Sequence, residues 1–220
     1  MAQTERLIHA IFRTHTEIRV HQYAKDALKL VETNELLKNL ILFGLLPLWG
    51  FSGLIDWMCH RATNIETTSG LKESLIHSLM GIQLGIPIVL GLFFFVNVSV
   101  LLICFLAVVM HEFVAHWDVH YSAPKREITI WEVHVHNYMA TIPLFLFMLL
   151  VVINWDMFKN LISFNWAGNM AFQRIEVPHG SSNYLMTYLI FMGITCVLPY
   201  FEENIRCLRV YLQQKKGASG

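Results

Sequence analysis

An uncharged apolar run longer than one membrane span constrains this 220-residue chain more than any other feature. Residues 79–110 contain no Asp, Glu, Lys, Arg or His over 32 consecutive positions. Because a membrane-spanning helix uses about 17–25 residues, this run is too long for a single span. Asn97 and Ser99 lie within it and predict a turn between two helices, over residues 71–96 and 98–120.

Three further apolar segments complete a predicted bundle, at residues 37–58, 129–154 and 184–205. Charged residues make up only 15% of the chain, against about 25% in soluble domains. The 16 basic and 16 acidic residues balance, so no nucleic-acid partner is expected. We therefore predict an all-α, polytopic membrane bundle of about five transmembrane helices, with the lipid bilayer as its surroundings.

The first segment, residues 1–36, has apolar positions at helical spacing but is interrupted by charges throughout. It predicts an amphipathic N-terminal helix that does not span the membrane. The transmembrane metal-binding bundle then covers 37–208, and a polar C-terminal tail covers 209–220. Four histidines are expected to lie outside any site, namely His9, His15, His21 and His179.

Five spans bring the end of the first, the start of the second, the end of the third and the start of the fourth to one face. Each of these four ends carries a carboxylate followed four residues later by His. The pairs are Asp56–His60, Glu73–His77, Glu112–His116 and Glu132–His136. Residues four apart share one helix face, so each pair can present an oxygen and a nitrogen ligand in the same direction.

These pairs and their neighbours form the predicted site. The metal ligands are predicted to be Asp56, His60, Glu73, His77, His111, Glu112, Glu132, His134 and His136. Residues expected to bind more weakly, or to support the ligands, are Glu66, His116, Asp118 and His120. Arg61 and Arg126 are expected to balance negative charge, with interfacial anchoring as the alternative role.

Ionisable groups within a membrane span cost about 2.5–3.5 kcal/mol each near the helix centre. A divalent cation compensates that cost, because it uses carboxylates and neutral imidazoles as ligands. One catalytic zinc needs about three protein ligands, and the predicted set is larger. We therefore predict two metal ions, with iron first and Zn or Mn as alternatives. A hydrogen-bonded structural network or a proton path is the alternative to metal.

Four sequence runs carry a family resemblance: DWMCHR (56–61), IETTSGLKESLIH (65–77), HEFVAHWD (111–118) and EVHVH (132–136). They resemble a family of small bacterial integral membrane proteins of unestablished activity, and the resemblance covers about residues 40–150. Some members are labelled diguanylate cyclase. This chain has no GG[DE]EF motif and no soluble nucleotide-binding domain, so the resemblance implies a bacterial membrane protein and not that activity.

The ligand chemistry is similar to that of membrane di-iron desaturases and hydroxylases, although carboxylates here stand beside the histidines. It implies a dimetal oxidoreductase that hydroxylates or desaturates a lipid-like or apolar substrate with O₂, served by an electron donor. One alternative is a zinc-dependent membrane lipid hydrolase, since SLIH (74–77) is similar to the Ser and His of the alkaline ceramidase-like superfamily. Another is a non-enzymatic metal-binding membrane protein.

Lys and Arg residues divide equally, eight to each predicted face, but those on the site face lie closer to span ends. This distribution favours a site near the cytoplasmic face, and the family resemblance implies that the membrane is the bacterial inner membrane. The sequence carries no signal for an oligomeric state.

Overall fold

The computed structural model describes residues 2–176 and 182–218, and the side chains of 19–176 and 183–218. The side chains of His9, His15 and His179 lie outside these ranges. Within them the chain is helical, and its one β feature is an isolated bridge between Phe94 and Arg174. The prediction of an all-α fold is confirmed.

Eight α-helices run through the described residues. They are α1 (Ala2–Asn39), α2 (Leu46–Ala62), α3 (Leu71–Phe93), α4 (Val98–Ser122), α5 (Ile130–Ile153), α6 (Trp155–Ile162), α7 (Ser182–Met192) and α8 (Leu198–Gly217). A π-helical turn, Leu40–Leu45, precedes α2, a second one, Gly193–Val197, links α7 to α8, and a 3₁₀ turn, Ile65–Thr67, precedes α3.

Five helical segments of the described chain are long and apolar enough to cross a membrane, as predicted. They are Arg19–Ala62, Leu71–Phe93, Val98–Ser122, Ile130–Ile153 and Asn183–Gly217. The first and last are longer than the predicted spans, because backbone hydrogen bonds continue the helix into the charged residues where an apolar pattern stops. The chain divides into two compact units, residues 1–40 and 41–220. Helix α1 makes up the first unit, and the bundle is the second.

The turn predicted within the long apolar run is present and is held by side chains. Asn97 is the N-cap of α4, where its side chain accepts a hydrogen bond from Val100 N at 3.0 Å. Its amide also donates to Ala171 O at 2.7 Å, and the Ser99 hydroxyl donates to Met170 O at 2.9 Å. Asn97 therefore caps the start of α4, and together with Ser99 it holds the turn between α3 and α4 in place.

Within the second unit the helices form a closed ring. Helix α2 packs on α5, α5 on α4, α4 on α3, α3 on α8, and α8 with its preceding π turn on α2. Because neighbouring spans run in opposite directions, the C-terminal ends of α2 and α4 meet the N-terminal ends of α3 and α5. The predicted pairs therefore lie at one end of the ring.

Two glycines let α2 approach the last span closely. A Cβ atom at Gly50 would lie 2.5 Å from Phe191 Cε1, and one at Gly53 would lie 3.0 Å from Cys196 Sγ. The contact therefore requires residues without side chains, and it fixes α2 beside the π turn that joins α7 to α8.

Substituting Gly50→Leu should destabilise the bundle, because the new side chain overlaps the Phe191 ring. Overpacking of this kind costs about 1–3 kcal/mol. We expect a lower apparent Tm in detergent than for the matched variant Gly91→Leu, whose Cβ would meet no atom within 4 Å. Equal melting temperatures for the two variants would contradict the close packing of α2.

Candidate metal centre

Eight acidic and histidine side chains from all five spans converge at one end of the ring. They are Asp56, His60, Glu73, His77, Asp118, Glu132, His136 and Glu203. The first six and Glu203 are at most 5% exposed, and His136 is partly buried. Carboxylates are almost never this buried unless they are paired, so their partners decide what the cluster can do.

Glu203 joins two of the histidines. Its Oε2 lies 3.0 Å from His60 Nδ1, and its Oε1 lies 3.1 Å from His77 Nδ1. The two imidazoles stack with their ring centroids 4.3 Å apart and their planes 12° from parallel. Since both Nδ1 atoms face the same carboxylate, both Nε2 atoms point away from it, side by side.

The first half of the cluster, here called the His60 half, consists of Asp56, His60, Glu132 and His136. His60 Nε2 lies 3.4 Å from Asp56 Oδ2 and 3.5 Å from Glu132 Oε1. His136 Nε2 lies 2.9 Å from Asp56 Oδ1. Tyr200 donates its hydroxyl to Asp56 Oδ2 at 2.9 Å and holds that carboxylate in place.

The second half, the His77 half, consists of Glu73, His77 and Asp118. His77 Nε2 lies 3.4 Å from Asp118 Oδ1 and 3.8 Å from Glu73 Oε1. The two halves therefore have the same design, in which one imidazole faces two carboxylates from different helices while Glu203 supports it from behind.

The distances around both Nε2 atoms are longer than ordinary hydrogen bonds and close to the separation of two ligands on one metal ion. Within the described part of the chain, His60 Nε2 and His77 Nε2 are buried and have no hydrogen-bond partner. Their contacts of 3.4–3.8 Å exceed the 2.7–3.2 Å of ordinary N–H···O bonds. Two ligand atoms that each lie about 2.1 Å from a shared ion are about 3.0–3.4 Å apart when the angle at the ion is between a right angle and the tetrahedral angle. The two contacts at 3.4 Å fall in this range, and those at 3.5 and 3.8 Å lie just beyond it.

Three groups of side chains bring one ligand atom from each residue within 4.8 Å of the others. They are Asp56 with His60 and His136, His60 with His77 and Glu203, and Glu73 with His77 and Asp118. These buried groups could hold a metal ion, which agrees with the sequence prediction at this level.

Arg126 joins the two halves from the loop between α4 and α5. Its Nε donates to Glu73 Oε1 at 3.0 Å, its Nη1 donates to Glu132 Oε2 at 2.9 Å, and its Nη2 donates to both carboxylates. Burial would lower the pKa of Arg126, but the hydrogen bonds to Glu132 and Glu73 outweigh it and raise that pKa above its ordinary value. The guanidinium therefore stays charged, and it ties α3 to α5.

With neutral imidazoles, the charges of the cluster do not balance among the described residues. Five buried carboxylates face one guanidinium, so four negative charges remain if the imidazoles are neutral. Two divalent cations would neutralise them. Without a compensating cation, burial of this much charge would be strongly unfavourable.

The structure places several predicted ligands outside the two halves. His111 is buried, but it lies two helical turns from Asp118, about 10 Å deeper in the bundle. His116 uses Nδ1 to contact the carbonyl of Glu112 on its own helix, at 2.9 Å, and its side chain is exposed. His134 is also exposed.

The remaining predicted residues lie at the rim of the bundle. His120 is exposed. Glu66 pairs with Arg206, and the exposed Arg61 pairs with Glu202 at 3.1 Å. Asp118, by contrast, was predicted as a weaker candidate, and the structure places it directly beside His77.

Sequence reasoning missed Glu203 and Tyr200. Glu203 has no histidine four residues away, since Pro199 and Cys207 occupy those positions. The available signal was topological, because the fifth span ends on the same face as the four carboxylate–His pairs. A carboxylate in its last apolar turn was therefore a candidate.

A cavity of about 850 Å³ adjoins the cluster and is lined by all five spans. Asp56, His77 and His136 lie at its polar end. From His77 it follows α3 as far as Leu92, a distance of about 22 Å along the helix. Its walls are mostly apolar, and four predicted site residues of α4 also line it, namely His111, Glu112, His116 and His120.

Replacing Arg126 by Ala should destabilise the protein strongly, because it leaves Glu73 and Glu132 buried without their partner. Breaking a buried ion pair in this way costs about 3–5 kcal/mol. Arg61→Ala is the matched control, since it removes an exposed pair worth about 0–1 kcal/mol. Thermal unfolding in detergent should show a far larger loss for Arg126→Ala, and similar losses would contradict the bridging role.

Comparisons of the chain with protein families, curated proteins and solved structures found no match. The function proposed below is therefore based on the position and chemistry of the side chains.

Proposed function

We propose that this chain is a membrane-embedded dimetal oxidoreductase, with iron as the metal, that hydroxylates or desaturates a lipid-like substrate. One observation carries the proposal. Two buried imidazole Nε2 atoms lie side by side without hydrogen-bond partners in the described chain, and each faces two carboxylates at 3.4–3.8 Å.

Each half of the cluster would hold one ion. His60, Asp56, Glu132 and His136 would supply ligands to the first, and His77, Glu73 and Asp118 to the second. Glu203 would orient both imidazoles through Nδ1, as carboxylates commonly do for metal-bound histidine. Arg126 would remain on the outer lone pairs of Glu73 and Glu132, since a carboxylate oxygen accepts more than one partner.

The donor set favours iron over zinc. Imidazole suits both metals, but a set with four carboxylates and three histidines resembles the ligands of carboxylate-rich di-iron proteins. Bound Fe(II) with open coordination positions would supply the chemistry that activates O₂. The chain's own residues would position the substrate, exclude water from the site and keep the carboxylate ligands charged.

The overall reaction balances with an external two-electron donor. Hydroxylation would consume O₂, two electrons and two protons, convert one C–H bond to C–OH and release one water. Desaturation would use the same inputs, remove two hydrogens from adjacent carbons and release two waters. An electron donor is therefore a required partner under either outcome.

The apolar cavity supports a lipid-like substrate. Its walls would exclude water and hold a chain against the polar end where Asp56, His77 and His136 lie. Tyr200 lines the same cavity, and its hydroxyl donates a hydrogen bond to Asp56. A water-soluble substrate would find few partners along these walls.

We place the site at the cytoplasmic face of a bacterial inner membrane. Basic residues cluster near the span ends on this side, as is typical of cytoplasmic loops. They are Arg61, Lys72, Lys125, Arg126, Arg206, Arg209, Lys215 and Lys216.

Metal content tests the proposal first. Protein purified without metal and reloaded anaerobically with Fe(II) should hold about two ions per chain, and His60→Ala and His77→Ala should each lose metal, because each removes one half's imidazole ligand. Glu203→Gln should weaken metal binding by about 10–100-fold, because both imidazoles lose their support. Elemental analysis and Mössbauer spectroscopy would measure both effects.

His134→Ala is the matched control for these variants, since His134 lies between Glu132 and His136 but is exposed. It should keep the wild-type metal content. A single zinc per chain would contradict the di-iron proposal. Unchanged metal content in both His60→Ala and His77→Ala would show that the site lies elsewhere.

Product analysis tests the reaction. Iron-loaded protein in nanodiscs of bacterial lipid, given a chemical reductant and ¹⁸O₂, should incorporate one ¹⁸O into a lipid chain or introduce a double bond. His77→Ala should abolish the product, while His134→Ala should not. Consumption of O₂ without any change in the lipid would contradict an oxygenase or desaturase role.

A further inference from the structure

The cavity is bordered on one side by α3 and by the last span, which touch at two levels. Near the cluster, Asn204 Nδ2 donates to Ser78 Oγ at 2.6 Å. Near the opposite end, Leu92 and Tyr188 belong to one apolar core cluster. These two contacts are separated by 14 residues of α3, about 21 Å along the helix axis.

Between the two contacts the helices leave a gap. Cavity-lining residues here have large exposed fractions, with Ile82 at 62%, Val89 at 46%, Leu189 at 42%, Val197 at 65% and Phe201 at 61%. A residue that both lines the cavity and faces outward marks an opening. The cavity is therefore continuous with the surface between α3 and the last span.

Two glycines widen this opening on its α3 side. Gly81 and Gly85 lie four residues apart, on one face of the helix, and both line the cavity. A Cβ atom at either position would meet nothing within 4 Å. Unlike Gly50 and Gly53, they do not serve close helix packing, and they leave space beside the opening.

We propose that this opening, bordered by Gly81, Ile82, Gly85, Val89, Leu189, Val197 and Phe201, admits an acyl chain of a bilayer lipid into the cavity sideways from the membrane. The surface around the opening is aliphatic and aromatic and lies on membrane-spanning segments, so lipid hydrocarbon is what meets it. The opening also runs along the helix axis, which suits an extended chain.

The inference names the substrate class and entry route for the proposed oxidoreductase. The reaction rests on the proposed function, but entry of the chain requires no metal. The two can therefore fail separately.

Photolabelling tests the opening. Chelator-treated protein in nanodiscs would contain a phosphatidylcholine with a diazirine on one acyl chain, and labelled residues would be mapped by mass spectrometry. We expect label on Trp49, which lines the inner wall of the cavity and is only 7% exposed. Phe145, which is 52% exposed on the outer surface, should be labelled in every variant and serves as the internal reference.

Gly85→Trp should fill the opening and reduce the label on Trp49 by about tenfold relative to Phe145, since the indole occupies the space of the chain. Gly81→Trp tests the same opening independently if Gly85→Trp does not fold. Gly91→Trp is the matched control, because Gly91 also has no atom within 4 Å of its Cβ but does not line the cavity. It should leave the labelling ratio unchanged.

Absence of label on Trp49 in the wild-type protein would overturn the inference, as would an unchanged ratio in the Gly81 and Gly85 variants. Either result, obtained on protein that binds two metal ions after reloading, would leave the dimetal centre standing. Label on Trp49 in a protein that binds no metal would instead contradict the proposed function while supporting lateral entry.

Discussion

The burial of five carboxylates at one end of the bundle is the constraint on which the rest of the structure depends. Arg126 neutralises one of their charges and Glu203 hydrogen-bonds to the two stacked imidazoles, but four negative charges remain when the imidazoles are neutral. A carboxylate charge that is buried away from water must be neutralised by a positive partner or lost by protonation. Two divalent cations, as proposed here, would balance the charge and would give both unpartnered Nε2 atoms a ligand role.

The ring of five spans places this cluster and gives it access to an apolar space. Gly50 and Gly53 bring α2 against the last span, which positions Asp56 and His60 opposite Glu203. The same last span contacts α3 near Ser78 and again near Leu92, and between these levels lies the opening that we propose for lipid entry. The charged cluster and the mostly apolar cavity therefore adjoin each other within one ring of helices.

Much of this arrangement was predictable, and the failures have physical reasons. The apolar run with Asn97 in it predicted the hairpin, and helical spacing predicted three of the converging pairs. The Glu112–His116 pair lies outside both halves because α4 turns Asp118 toward His77, and at 100° per residue those two side chains start about 120–160° from Asp118 around the helix. Both residues nevertheless line the adjoining cavity. In a span that is apolar all round, hydrophobicity does not mark the inner face. Arg126 lies in the loop between α4 and α5, and no local sequence pattern predicts that this loop folds over the cluster.

X-ray diffraction at the iron absorption edge, from crystals of the iron-loaded protein, would test the central claim most directly. Two anomalous peaks are predicted, one beside His60 Nε2 and one beside His77 Nε2, with Glu203 hydrogen-bonded to both rings on their opposite sides. The absence of any peak there, with both Nε2 atoms hydrogen-bonded to protonated carboxylates or to water, would contradict it. The cluster would then be a polar network that holds the five spans together.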